Sequence, residues 1–455
     1  MSRSGDPSLR VWLALLALAG LRLWLAARTG LGDDEAYYWH WATRLDWSYR
    51  EHPPLVAWLI ALSRAALGDS PLAVRLPFVL SGLWAALLAH RAAEAEHAGA
   101  GPTAAALVSV LPMFAIMAVF AAPDMPMLCG WLLALRGLQE RRWWWTGTGF
   151  GLALLGKITG VLLAAGLVLW AARQWRQAGE GRALHRAAGA LGLGVLMNTP
   201  SLLWAADHGG GTFAYQLVER HRHAVTVLGG LGQLLGSQLG LVGPALVALA
   251  VALRRPGPAR WLAAPTLVVF TGAAVLTDSK IHWLAPAWLL LAPGAAAWMC
   301  ERAWWRAAAI GVGGALSGLV YLQSQVGVLP LPPRADPTVE LRGWQGAVEA
   351  GLELECGERP PPLAGHMYQT TAQLQWAARD RRAVVRVGSR PDQYATWGDA
   401  RAHRGGAAVF IAPERYLVDP VKEGLFTTCD ERRDLTVEAR RFSVWCCQGL
   451  RADGG

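Results

Sequence analysis

From Val11 to Leu322 the chain is a succession of Leu-, Ala-, Val- and Trp-rich runs carrying few charges. A helix of about 20 apolar residues crosses the hydrocarbon core of a bilayer, where every backbone N–H and C=O must be bonded internally. Repeated this often, the pattern is incompatible with an ordinary soluble domain. Only 16% of the 455 residues are charged, and the mean hydropathy is +0.27. The sequence therefore predicts one polytopic α-helical membrane body, followed from about Pro330 by a stretch of ordinary globular composition.

The expected spans are 9–28, 72–92, 102–121, 124–139, 143–157, 158–172, 187–205, 227–253, 261–277, 283–300 and 305–322, eleven in all. The net charge of +9 follows from how they are threaded. Residues 331–455 hold 17 basic and 17 acidic side chains and cancel. With a cytoplasmic N-terminus, the connections on that side hold fifteen Arg and six acids, a difference equal to the whole excess. That is the positive-inside distribution, not a basic docking face, so nucleic acid is excluded as a partner. The 24 Trp fit headgroup-level belts at both faces. The first run is long for a signal peptide and is followed by Gly32-Asp33-Asp34-Glu35, so it reads as a retained span.

An odd number of spans places the C-terminal part outside the cytoplasm. The expected division is a transmembrane domain over 1–329, with its first outer loop at 29–71, and a periplasmic α/β domain over 330–455. In the latter, 340–351 and 367–380 have helical spacing, while 383–387, 407–411 and 435–438 read as strands. Four of six cysteines lie there, and an oxidising compartment favours one bridge, with Cys356–Cys429 the pairing expected. Adjacent Cys446 and Cys447 are not expected to pair with each other, and Cys129 and Cys300 read as membrane-core residues.

Chemistry is expected on the outer face. The first outer loop carries Asp33-Asp34-Glu35 and then Glu51-His52-Pro53-Pro54. Three consecutive carboxylates repel one another unless a cation, metal or substrate proton is shared among them. The bland alternative is an acidic helix start, with Trp39, Trp41, Trp47 and Trp58 lying in the membrane interface. Asp124, between Pro123 and Pro126, is a lone carboxylate at the mouth of two spans; its alternative is a simple helix-initiating Asp. Only three of 42 basic residues are Lys, and two of them, Lys157 and Lys280, lie at outer span ends, where a compact ammonium suits a phosphate. The alternative is snorkelling or chance. Asp207-His208-Gly209-Gly210-Gly211 and Glu219-Arg220-His221-Arg222-His223 offer weaker anion or metal candidates. No dinucleotide fingerprint, P-loop, HExxH or GxSxG occurs, and no nucleotide cofactor is expected.

Asp34-Glu35, Glu51-His52-Pro53-Pro54, Arg75-Leu76-Pro77, Asp124-Met125-Pro126, Gly151-Leu152 to Lys157, and Lys280-Ile281-His282-Trp283-Leu284-Ala285-Pro286 occur in that order along nearly the whole chain. Together they resemble the bacterial membrane glycosyltransferases related to protein O-mannosyltransferases and to the lipid A aminoarabinose transferases, of the GT-C fold. The resemblance implies a catalytic role for Asp34, Glu35 and Asp124. It also implies donor-phosphate contacts by His52, Lys157, Lys280, His282 and Arg222. His52 stands where aminoarabinose transferases usually carry Lys, which replaces a permanent cation by a titratable one. Metal dependence varies within the family; a divalent ion would fall to Glu51 and His221.

The resemblance further implies transfer of a sugar from a polyprenyl-phosphate donor to a glycolipid such as lipid A, a polymer or a protein, with inversion. A phosphate leaving group is already a stable anion. Catalysis then needs a base for the acceptor hydroxyl and fixed positive charge on the departing phosphate, which outer carboxylates and lysines supply. The expected location is a bacterial cytoplasmic membrane with the active site facing the periplasm. The Arg- and Ala-rich, Lys-poor composition favours undecaprenyl over dolichyl phosphate. The competing classes are a transporter or lipid-linked sugar flippase and a non-catalytic assembly subunit. Transporters commonly show internal repeats with broken helices at the midplane, and no such repeat is evident here.

Overall fold

The structure, a computed structural model, describes residues 7–179, 181–216, 226–276, 280, 282–333, 335–354, 356 and 360–451. The chain divides into two compact units: Met1–Ala26 with Asp46–Gly68 and Arg75–Tyr321, and Ala27–Leu45 with Asp69–Val74 and Leu322–Gly455. The expected division was at 329/330, with the whole 29–71 loop on the membrane side. By contacts, 27–45 and 69–74 group with the tail.

The helices up to the tail are α1 (Pro7–Arg28), α2 (Asp33–Thr43), α3 (Leu55–Leu67), α4 (Pro71–Glu96), α5 (Gly101–Val110), α6 (Pro112–Met117), α7 (Asp124–Gln139) and α8 (Trp143–Gly156). They continue as α9 (Val161–Ala178), α10 (Gly181–Asp207), α11 (Gly211–Ala214), α12 (Val227–Val242), α13 (Ala245–Ala252), α14 (Pro258–Leu276), α15 (Ala285–Met299) and α16 (Ala303–Val326). Every expected span is helical, but the lengths are uneven. Five helices among the described residues are long and apolar enough to cross a membrane alone. The α12–α13 pair, bent by 105°, makes a sixth if taken as one. The 102–121 run breaks at Leu111, because Pro112 lacks an N–H and disfavours helical backbone before it.

In the first unit α7 and α8 form a hairpin joined by residues 140–142, and small residues set their separation. A Cβ on Gly130 would lie 2.5 Å from Gly149 O and 2.6 Å from Ala153 N, and one on Gly149 would lie 2.5 Å from both Ala134 N and Gly130 O. Both helices thus carry a small-xxx-small spacing, Gly130/Ala134 and Gly149/Ala153, that allows backbone-to-backbone approach. α10 seats on the other side of α8, where Asn198 Nδ2 donates to Gly151 O at 3.1 Å. Two buried arginines are satisfied by this frame. Arg22 of α1 donates to Tyr321 Oη at 3.1 Å and to Ser109 O. Arg75 donates to Ala26 O at 3.2 Å and lies over the Phe120 ring.

The second unit adds α17 (Trp344–Leu352), β1 (Leu363–Gly365), α18 (Tyr368–Ala378), β2 (Val384–Arg386), α19 (Gln393–Trp397), β3 (Ala408–Pro413), β4 (Thr428–Val437) and β5 (Arg440–Gln448). The sheet order is β2-β1-β3-β5-β4; β1 pairs parallel with β2 and β3, whereas β5 is antiparallel to β3 and β4. The sequence reading had found neither β1 nor β5. The bridges are Cys356–Cys446 and Cys429–Cys447, which corrects the expected Cys356–Cys429 pairing. Successive strand residues point to opposite faces. Cys447 therefore meets Cys429, its partner in the β4–β5 register, while Cys446 turns to the other face and meets Cys356.

α2 belongs to this unit, and the structure corrects its reading as an interfacial helix. Trp39 and Trp41 are buried, and Trp39 packs edge-on against Trp376 of α18 at 4.9 Å. Tyr37 stacks on Tyr394 and accepts a hydrogen bond from Gln393 N. The bulky aromatics of α2 are thus core residues of the tail domain, whereas Trp47, which is exposed, and Trp58 group with the first unit. Gly30 makes this docking possible, since a Cβ there would lie 2.2 Å from Leu341 O.

A Gly149→Ala substitution tests the helix seam. Helix propensity alone would favour Ala by about 1 kcal/mol, but contacts of 2.5 Å to backbone atoms cannot yield without moving α7. The expected outcome is a net destabilisation of about 1–3 kcal/mol, read as a lower unfolding temperature of the detergent-purified protein.

Candidate functional site

Within the first unit the α7–α8 hairpin brings the first residue of α7 to the residue that ends α8. Lys157 Nζ lies 2.9 Å from Asp124 Oδ1 and 3.1 Å from Oδ2, and both side chains are buried. His282 Nε2 is 3.9 Å from Asp124 Oδ1, and His52 lies near enough to act on the same charge. Asp124, Lys157, His282 and His52, picked from distant parts of the sequence, thus form one cluster. Both Asp124 oxygens are engaged by Lys157, so in this state the carboxylate orients a cation.

The Glu51-His52-Pro53-Pro54 segment is tied down from the Gly-rich turn after α10. Thr212 Oγ1 donates to Tyr49 O at 2.6 Å and Gln216 Nε2 to Glu51 O at 2.8 Å, while Tyr49 N donates to His52 O at 3.1 Å. Gly209, Gly210 and Gly211 all have positive φ, and His208 stacks on Trp204 at 4.0 Å. The turn read as an anion cradle is, in the structure, a tether for the Pro-Pro segment. Lys280 is exposed and forms no ion pair with the described residues. Arg222 and His221, with Glu219, His223 and Asp278, lie outside the described residues. Glu51 is buried, and no three His, Cys, Asp or Glu side chains converge on a metal position among the described residues. A divalent ion held by Glu51 and His221 would involve a residue outside the described part of the chain.

In the second unit burial separates the acidic triplet. Asp33 is 3% exposed and accepts from Gln373 Nε2 at 3.0 Å. Glu35 is equally buried and accepts from Gly32 N at 2.8 Å, a capping contact that closes the amino end of α2. Asp34 alone of the three is exposed, with Tyr368 Oη donating to its Oδ1 at 2.9 Å. Glu340, Tyr368 and Gln373, none singled out from sequence, surround the triplet. They come from the tail, more than 300 residues away, and no local pattern marks them.

Burial, aided by the Asp33 and Asp34 charges, holds the Glu340 carboxyl well above the usual carboxylate range. Asp33 is raised too, mainly by burial, against the lowering influence of Arg440 and Gln373. The two carboxyls are therefore held as a pair toward a protonated form, whereas Asp34 is exposed.

Comparison with known proteins gives three findings. The family model described as dolichyl-phosphate-mannose-protein mannosyltransferase matches residues 51–204. The lipid A galacturonosyltransferase RgtD of Rhizobium johnstonii is 28% identical over 302 residues, covering 59% of this chain and 62% of that protein. The crystal structure of ArnT from Cupriavidus metallidurans in the apo state superposes with a TM-score of 0.66 at 17% identity, covering 97% of this chain and 98% of that one. This is a GT-C fold chain. The same ArnT bound to undecaprenyl phosphate superposes with a TM-score of 0.64 at 16% identity. The GT-C fold accounts for the many helices of unequal length followed by a small mixed sheet domain, and the chain is a multi-pass membrane protein. The 51–204 match contains His52, Asp124 and Lys157 but neither the acidic triplet nor the tail. The chain spans about three-fifths of the length of the curated relative it matches.

The Asp124–Lys157 pair generates a stability prediction. Removing one partner of a buried ion pair leaves the other charge uncompensated, at a cost of about 3–5 kcal/mol. Asp124→Asn and Lys157→Met should each lower the unfolding temperature clearly, and the double variant should recover most of the loss. Singles that match the parent would show that the pair does not hold the α7–α8 ends.

Proposed function

We propose that the chain is a glycosyltransferase that moves a sugar from a polyprenyl-phosphate donor to a hydroxyl of a lipid acceptor such as lipid A, with inversion. The observation that carries this reading is the separation of the acidic triplet: two carboxyls are buried and committed, and Asp34 is exposed and oriented by Tyr368. An oriented, accessible carboxylate is suited to act as the base toward an acceptor hydroxyl. The similarity to a lipid A galacturonosyltransferase supports the acceptor class, and the fold shared with an undecaprenyl-phosphate-binding protein supports the donor class.

In the proposed reaction the acceptor O–H gives its proton to the Asp34 carboxylate as its oxygen bonds to the anomeric carbon. The bond from that carbon to the phosphate oxygen breaks, and the electron pair leaves with the polyprenyl phosphate. Lys157, Lys280, His282, His52 and Arg222 are the cations assigned to that developing charge. Asp124 holds Lys157 in place and is not the base, because both of its oxygens are already engaged. Carboxylates also favour the partial positive charge of an oxocarbenium-like transition state. We place the enzyme in the bacterial inner membrane with the tail domain in the periplasm, on the positive-inside distribution and the two disulfides.

The test is to incubate the purified full-length protein with radiolabelled polyprenyl-phosphate sugars and lipid A. Transfer is expected; donor counterflow without transfer would instead support a transporter. Asp34→Asn should lower transfer by at least about 100-fold, the contribution of a general base, with membrane insertion unchanged. Full activity in that variant would remove Asp34 from the chemistry. Lys280→Ala should weaken use of the donor more than of the acceptor, and equal loss for both would count against a phosphate contact.

A further inference from the structure

Asp33 is the first residue of α2 and lies beside Asp34 in the chain, yet it points into the protein. Its Oδ1 accepts from Gln373, whereas no N–H or O–H donor among the described residues reaches its buried Oδ2. Glu340, carried by the short Pro337–Leu341 turn, stands at the same end of α2: its Oε1 lies 3.6 Å from where a Cβ on Gly32 would be, Gln373 Nε2 reaches both Asp33 Oδ1 and Glu340 O, and the two side-chain charges act on one another. Two ionised carboxylates are acceptors only and repel one another; a hydrogen bond between them requires one proton.

The neighbouring charges do not remove that requirement. Arg440 is buried over the Trp344 ring, and its Nη1 is directed at the backbone carbonyls of Val339, Glu340 and Arg342, at 3.3–3.5 Å. It forms no ion pair with Asp33 or Glu340. Arg415 acts on Glu340 only through its field, the Asp34 charge adds repulsion, and Tyr416 is a further titratable group in this field. Gln373 fastens the same place from α18, donating to Leu31 O at 2.8 Å and reaching Glu340 O at 3.3 Å.

We propose that Asp33 and Glu340 share one proton and act as positioning residues, pinning the amino-terminal turn of α2 so that Asp34 meets Tyr368. While the proton is present, the turn is held by the carboxyl pair, by Gln373 and by the Glu35 cap. Loss of the proton places a second negative charge one residue from Asp34 and pushes the turn away from Pro337–Leu341. The direction follows from linkage. The native pair keeps its proton above the ordinary carboxylate value of about 4. Its contribution is complete below that value and is lost as pH rises through the raised native value. The two carboxyls titrate as a unit. The consequence for sugar transfer rests on the transferase reading above; the shared proton does not.

The experiment uses the full-length protein and three variants. Glu340→Gln replaces the shared proton by an amide N–H that does not titrate, Asp33→Asn removes the other carboxyl, and Glu340→Ala removes the contact. A protonated-carboxyl C=O infrared band is expected at neutral pH in the parent and should disappear in Glu340→Gln and change in frequency in Asp33→Asn. Absence of such a band would overturn the proposal whatever the enzyme does. Amide exchange of residues 31–43 should quicken as pH rises in the parent and stay slow in Glu340→Gln. Parallel exchange curves in the two proteins would show that the pair does not pin the turn. In the transfer assay the alkaline loss of kcat should move up by at least about one pH unit in Glu340→Gln, with near-parent activity at neutral pH. Glu340→Ala should lose about ten-fold or more at every pH through misplacement of Asp34. Superimposable pH profiles for parent and Glu340→Gln would overturn the positioning role. Should no preparation transfer sugar, the transferase reading fails, and the infrared and exchange results still decide the pair.

Discussion

The close approach of α7 and α8 is the constraint on which the membrane unit's site depends. Glycine and alanine at 130, 134, 149 and 153 let two backbones meet where any larger side chain would collide. In lipid no hydrophobic force drives helices together, so packing of this kind has to supply the association. It sets the ends of the hairpin as well as its middle. Asp124 starts one helix and Lys157 ends the other, so their separation of 2.9 Å follows from helix lengths and a short turn. A lone buried ammonium would be costly; here both oxygens of a buried carboxylate compensate it.

The acidic triplet is organised by a different means. Three consecutive residues of a helix point about 100° apart, so they cannot share one environment. In α2 one direction meets Gln373 and the Pro337–Leu341 turn, one closes back on Gly32, and one faces outward toward the Tyr368 hydroxyl. Helical geometry thus turns a repelling run of carboxyls into three groups with separate work. The aromatic residues after it, Tyr37, Tyr38, Trp39 and Trp41, supply the burial that makes the separation rigid.

Much of the membrane unit was readable from composition and spacing. Apolar runs, isolated Asp124 and the rarity of lysine pointed to Asp124 and Lys157 singly, because polar groups among apolar runs stand out against their background. That they pair was not legible, since pairing depends on how α7 and α8 dock. The tail was less transparent. Strand β5 has no run of branched aliphatics, with Arg, Phe, Ser, Val, Trp and Cys mixed along it, and its pairing with β3 and β4 rests on long-range contacts. The cysteine partners followed that hidden register. Trp39 and Trp41 of the first loop misled for a related reason: an indole suits both a membrane interface and a protein core, and only packing such as that of Trp39 on Trp376 of α18 decides between them.

Glu340 shows why acidic groups around a candidate base have to be found in three dimensions. In sequence it is an unremarkable glutamate of a short connecting turn in the tail, with nothing to tie it to residue 33. Its importance comes from standing beside a second buried carboxyl, one of whose oxygens is already taken by Gln373. If both ionised, the charge beside Asp34 would double; with one proton held between them, the same atoms give a directional hydrogen bond. The exposed neighbour, Asp34, then carries the accessible negative charge of the triplet. A base for an acceptor hydroxyl works best when its own proton affinity is low enough to leave it ionised and high enough to accept a proton. Holding one proton between the two buried carboxyls limits the charge beside Asp34 to one.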